Sequence, residues 1–263
     1  MPSSLFGTGK PQYAMALSEH YRRLPALLTQ GLFPRAAALL PRNARLKRGV
    51  RALAEPDLAA RLALVYAFFS PELRERLFLD ALRANADFRA GAAPFALARL
   101  QQDVSHLDPL SQMLYVDTRA SLPDDLLMVN DKMSMAHSIE ARVPYLDLPL
   151  LAFVESLPPH CKLQGLHGKF LHKKALERWL PRTVVHRRKK GFDNPVTHWL
   201  RGPLRPLVQE LLFSADAAVR RYFDMDVLTR LVAQHDSGRE DHMRQIYLLL
   251  SFEMWHRRFI GRG

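Results

Sequence analysis

Three short stretches of this chain carry side chains suited to chemistry on anions. Arg187, Arg188, Lys189 and Lys190 form an unbroken run of cations directly before Gly191 and Phe192. Read alone, such a run is either a solvated surface face or a patch for the phosphates of a nucleotide or nucleic acid. Upstream, Glu140, Arg142 and Asp147 fall within EARVPYLD, so two carboxylates flank one guanidinium. The planar fork of arginine suits paired carboxylates, and the expectation is a buried charge network that fixes the loop carrying it. Between the two lies GKFLHKKAL, Gly168 to Leu176, in which Lys169 and Lys173 give a helix a basic face. Other chemistries lack their residues. The single cysteine, Cys161, has no nucleophile context, and there is no Gly-x-Ser-x-Gly elbow for acyl-enzyme formation. The pairs His167/His172 and His235/His242 miss the i, i+4 spacing of a helical zinc site, so no metal site is expected.

Composition narrows the class. With 263 residues, 48% of them apolar, the chain can bury a sizeable core. Its longest apolar run, Leu62 to Phe69, falls well short of the ~20 residues needed to span a bilayer. The first residues lack a secretory pattern, and one cysteine forms no internal disulfide, which together lead us to expect a cytoplasmic protein. A formal charge of +12 favours an anionic partner, or reflects arginines that simply coat amphipathic helices. A basic helical nucleic-acid-binding protein and a non-catalytic interaction protein are therefore alternatives to an enzyme.

The elements that must position these residues read as helices. Apolar residues recur at three and four, and β-branched runs are scarce, so few strands are expected. Ser70-Pro71-Glu72 and Asp108-Pro109 each place a capping side chain before proline at the first helical position. A helix beginning at Pro123-Asp124-Asp125 should run through Met135 and stop at Ala141 to Pro144, where proline disfavours helical geometry. Ser156 to Gly168 reads as a connection, Gly168 precedes a helix that runs through Leu180, and His186 to Pro195 is a loop. Further helices are expected near Pro203–Phe213, Asp226–His235 and Asp241–Phe259. No repeat or linker is evident, so residues 1–263 read as a single domain.

Taken in order, NDKMSMAHSIEARVPYLD (Asn130 to Asp147), GKFLHKKALERWLP (Gly168 to Pro181) and RRKKGF (Arg187 to Phe192) resemble the carboxy-terminal half of the synthetase domain of glutamine-hydrolysing asparagine synthetases. The resemblance implies a mainly α chain, the helical C-terminal part of an adenine-nucleotide α-hydrolase-like (ATP pyrophosphatase) domain with its parallel-sheet half absent. It also implies ATP and Mg2+ as cofactors, and aspartate and ammonia from glutamine as substrates. By the same resemblance, Lys189 stands at the lysine of R-x-K-x-G-F and is the catalytic, phosphate-contacting cation. Glu140, Arg142, Asp147, Asp131, Arg187 and Lys169 support the nucleotide and substrate pocket. Leu5 to Ala16, LFGTGKPQYAMA, is similar to the segment that follows the family's acidic pair, yet Pro2, Ser3 and Ser4 stand where those acids are expected. No SGGxDS phosphate loop and no glutaminase domain occurs in these residues. The expectation is a truncated synthetase fragment, a subunit of a split synthetase that relies on a separate N-terminal glutaminase and ATP-loop polypeptide, or a repurposed remnant, inactive alone in each case. β-Lactam-forming synthetases share the architecture, and substrate choice stays open between them.

Overall fold

A computed structural model describes residues 21, 24–25, 27–33, 35–36, 49–50, 52–83, 92–120, 122–165, 167–187 and 195–261. The expected N-terminal motif at 5–16 and the cluster at 188–192 lie outside the described residues. The described residues divide into two compact units, the first drawn from within 1–33, 49–65 and 93–189, the second from within 34–48, 66–92 and 190–263. Among them the structure is mainly helical, and β structure is limited to one two-stranded sheet and an isolated bridge between Phe78 and Phe223.

In the first unit, α1 (Leu58–Tyr66) and α2 (Ala92–Gln102), whose residues Tyr66 and Ala92 are assigned to the second unit, precede α3 (Pro109–Arg119). Asp108 caps α3 as its sequence predicts, its carboxylate accepting from the amides of Leu110 and Ser111 at 3.0 and 3.1 Å. Leu110, Met113, Leu114 and Val116 are buried on that helix, the stripe that its apolar spacing requires. A π-helical turn, Leu122–Leu127, leads into α4 (Met128–Met135), so the helix expected from Pro123 starts with a widened turn.

Helix α4 stops well before Pro144. Ser138 takes a left-handed φ of 58°, the amide of Ile139 donates to the carbonyl of Ser134 at 3.1 Å, and the amide of Ser138 donates to that of Met135 at 2.9 Å. These are the two bonds of a Schellman cap, with serine where glycine is usual. A 3₁₀ turn, Pro144–Leu146, follows, and then α5 (Leu148–Ser156). The expected connection from Ser156 to Gly168 holds a hairpin, β1 (Leu163–Gln164) antiparallel to β2 (His167–Gly168), whose Leu163 joins Leu110 and Leu114 in one apolar cluster. Lys162, just before β1, is buried and donates its ammonium to the carbonyl of Glu155 at 3.1 Å, satisfying an acceptor near the end of α5. Helix α6 (Phe170–Leu176) is shorter than expected, giving way to turns before Leu180.

The second unit holds α7 (Pro71–Leu77), α8 (Val196–Arg201), α9 (Arg205–Phe213), α10 (Met225–Asp236) and α11 (Met243–Phe259). Its core gathers Leu77, Leu212, Leu228, Ile246 and Leu249 from four of these helices, each almost fully buried. Ser70 caps α7 through the amide of Leu73 at 3.2 Å, and Asp224 caps α10 through that of Val227 at 2.9 Å.

Two buried polar groups anchor this core. Glu253 has no exposed side-chain surface; one oxygen accepts from the amide of Val219 at 3.0 Å and the other from Arg257 at 2.6 Å. At the α10–α11 junction the buried His235 accepts the amide of His242 on Nδ1 at 3.2 Å, while Arg201 holds the His235 carbonyl at 2.6 Å. Burial pushes both histidines below their ordinary range, the Arg201 charge adding to the effect at His235, and the nearby Asp241 and, for His242, Glu240 only partly opposing it.

Two outcomes follow from these contacts. Glu253→Ala strands a buried amide and removes an ion pair, so equilibrium urea unfolding should lose about 2–4 kcal/mol, and a loss under about 1 kcal/mol contradicts the assignment. Because the native state disfavours protonated His235 and His242, their contribution is complete above the unfolded value of about 6.5 and drains as pH falls through the depressed native values. Urea midpoints should therefore drop between pH 7.5 and pH 5, more steeply than in a His235→Phe, His242→Phe variant; equal slopes contradict it.

Candidate functional site

One ring contact in the first unit joins two of the motif blocks. After the Schellman turn, the extended Val143 meets Pro144 as expected of a residue before proline, and the 3₁₀ turn swings Tyr145 toward α6. The Tyr145 ring stands edge-on to the His172 imidazole, centroids 5.6 Å apart. This contact joins EARVPYLD to GKFLHKKAL, and with them the loop 140–147 to Lys169, which takes a left-handed φ of 56° at the head of α6. Burial, and then the charge of Lys169, hold His172 below its ordinary value, so it is neutral near pH 7. Further on, His186 Nε2 lies 2.6 Å from Glu177 Oε1. That hydrogen bond is the main reason the Glu177 carboxyl lies below its usual range, with Arg182 adding to it. It ties the turn Arg182–Val185 back to the end of α6 just before the basic cluster begins.

The charged residues themselves face outward. Arg142 contacts Glu140 at 2.9 Å, but the two side chains are 82% and 65% exposed. The expected buried network is thus an exposed pair, because the loop turns Val143, Tyr145 and Leu146 partly inward and leaves Glu140, Ala141 and Arg142 exposed. Asp147 takes no part in it: it heads α5, and its side chain makes no capping bond. Asp131 is exposed on α4, where its carbonyl accepts from the Ser134 hydroxyl at 3.1 Å. Arg187 is exposed and Lys169 half-buried. Lys189, the expected phosphate cation, lies outside the described residues, as do Arg188, Lys190, Gly191 and Phe192.

What sequence reasoning did not place is the apolar surface that accompanies these charges. Ile139, Leu148 and Trp179 are 62%, 75% and 72% exposed, and Met128, Val129, Met133, Met135 and Phe153 are exposed with them. Helices α4 and α6 bury no residue fully. These side chains belong to the same unit as the charged motif residues, and apolar exposure on this scale gains from being covered by another molecule or another stretch of polypeptide. His172 and Tyr145 were likewise missed as a pair; the signal available was only that each sits in a block of the same series.

Donor chemistry bears on magnesium. Among the described residues no three His, Cys, Asp or Glu side chains come together as a metal site, and Glu140 is already engaged by Arg142. The described residues therefore do not assemble a site for that ion. No helix of the described residues is long and apolar enough to cross a membrane.

Comparison with known proteins agrees with the motif series. A family model described as asparagine synthase matches residues 5–257. Asparagine synthetase (glutamine-hydrolysing) 1 of Bacillus subtilis is 32% identical over 152 residues, which is 58% of this chain and 24% of that protein. A provisionally named glutamine-hydrolysing asparagine synthetase of Mycobacterium tuberculosis is 35% identical over 154 residues, 58% of this chain and 23% of that protein. A more distant match, amidase chyE of Penicillium rubens, is 28% identical over 111 residues, 40% of this chain and 16% of that protein. The chain thus spans about a quarter of the length of the synthetases it matches. No solved structure matches. With the family model covering nearly its whole length, the chain belongs to the asparagine synthase family.

Proposed function

We propose that this chain serves glutamine-dependent asparagine synthesis, contributing the helical part of a synthetase whose complete reaction amidates aspartate at the expense of ATP. In that reaction a side-chain carboxylate oxygen of aspartate attacks the α-phosphorus and pyrophosphate departs. Ammonia then adds to the acyl carbon of the aspartyl adenylate and AMP leaves with its bonding pair. The observation that carries the reading is the contact of Tyr145 with His172, which brings two motif blocks of the family onto one surface beside Glu140 and Arg142.

In this proposal Lys189 supplies positive charge where it accumulates on the α-phosphate and the leaving pyrophosphate, an interaction stronger in the transition state than with ground-state ATP. His172, neutral and half-buried, fixes the loop rather than the charge. The exposed pair Arg142–Glu140 becomes an ordered contact to nucleotide or aspartate only when the surrounding apolar surface is covered, because removal from water strengthens it. The covering partner is a polypeptide portion with a glutaminase nucleophile and an SGGxDS loop, neither of which is in this sequence. Magnesium, which would neutralise the phosphates when bound, is held in this proposal by residues of that portion.

Incubated alone with ATP, magnesium, aspartate and ammonium, the purified chain should release no aspartate-dependent pyrophosphate. Supplied with a synthetase portion that carries an SGGxDS loop and a glutaminase, it should do so, and Lys189→Ala should cut the rate by about 100-fold or more. Release by the chain alone, or full activity of Lys189→Ala in the reconstituted enzyme, contradicts the proposal.

A further inference from the structure

In the second unit, α11 has a face that the family reading does not use. Its inner side is the core stripe of Ile246, Leu249, Leu250, Glu253 and His256. Its outer side carries Arg244, Tyr247, Met254, Trp255, Arg258 and Phe259, all exposed, Phe259 at 69%. The spacings of three and four place these side chains along one stripe about 22 Å long, centred on the small residue Ser251. Single exposed apolar residues are ordinary on any protein; a continuous row of Tyr, Met, Trp and Phe bracketed by arginine is the composition of protein-interface cores. The row is also ordered in advance. Trp255 packs on both Phe252 and Phe259, centroids 6.1 and 6.5 Å apart, and Arg244 lies 5.3 Å over the Phe68 ring.

Charge selects the occupant. The stripe has a cation near each end and no anion, since Glu253 is buried against Arg257 on the inner side. Arg220 and Arg221, on the adjoining turn Val219–Tyr222, are exposed as well. A second copy of this chain laid antiparallel would set Arg258 against the partner's Arg244, and laid parallel would set each arginine against itself, so self-pairing is repulsive in either sense. We infer that the outer face of α11 docks an amphipathic helix of an acidic partner protein, with apolar side chains on Tyr247, Trp255 and Phe259 and carboxylates reaching Arg244 and Arg258.

The test uses the full chain and two fluorescein-labelled synthetic helices of about 18 residues, both with leucines at three-and-four spacing, one filled with glutamate and one with lysine. Fluorescence anisotropy should show saturable binding of the glutamate helix only. Trp255→Ser with Phe259→Ser should weaken it about tenfold or more, and Arg244→Glu with Arg258→Glu should transfer preference to the lysine helix. All four positions are exposed, and unchanged thermal melts would certify that the variants fold. Failure to bind either helix, equal binding of both, or affinities indifferent to these substitutions overturns the inference. So does light scattering that reveals a dimer lost in Trp255→Ser, Phe259→Ser, or the same loss seen in sedimentation with phosphatidylglycerol vesicles without any helix binding.

Discussion

The contact between Tyr145 and His172 is the constraint on which the first unit's functional surface depends. More than twenty residues separate them, and between lie a helix, a hairpin and the buried Lys162. Each of those elements is short, and none alone would fix the loop 140–147. The hairpin is anchored through Leu163 on α3, α5 through the Arg119–Glu155 pair at 3.2 Å, and α6 begins where β2 ends. The edge-on ring contact closes this circuit, so the loop's position is set by a chain of small contacts rather than by deep burial. That explains how a largely exposed loop has a defined course while its Arg142–Glu140 pair is displayed to solvent.

The two units solve opposite problems. The second buries a continuous core and places its polar groups, Glu253 and His235, where each satisfies backbone atoms. The first leaves the family motif and many large apolar side chains open to solvent. Covering the exposed apolar side chains of the first unit is favourable, and a partner that also reached Arg142 and Glu140 would dry that pair.

Helix starts were legible in the sequence because they rest on local chemistry. Ser70 and Asp108 cap the helices that they precede, and the three last helices lie where periodicity placed them. The end of α4 was not legible. Proline at 144 is an obvious stop, but a serine in the left-handed conformation leaves no such mark, since its cost is met by two backbone bonds and not by residue type. The expected burial of Arg142 also failed, because pairing of opposite charges can be read from a sequence while the presence of a wall around them cannot. His235 and His242 stood out in the sequence only as a pair with the wrong spacing for zinc, and their contact was not legible for a related reason: seven residues apart, they meet because a reversal at Gly238, with a φ of 70°, brings the start of α11 back over the end of α10.

The ring contact can be measured directly by following the His172 imidazole in an NMR pH titration of the whole chain. Its midpoint should lie below the ordinary value of about 6.5 and rise toward it in Tyr145→Ala, as the loop lifts and water reaches the ring. A midpoint at or above about 6.5 that Tyr145→Ala leaves unmoved would mean that the two motif blocks do not meet, and the site built on them would fall.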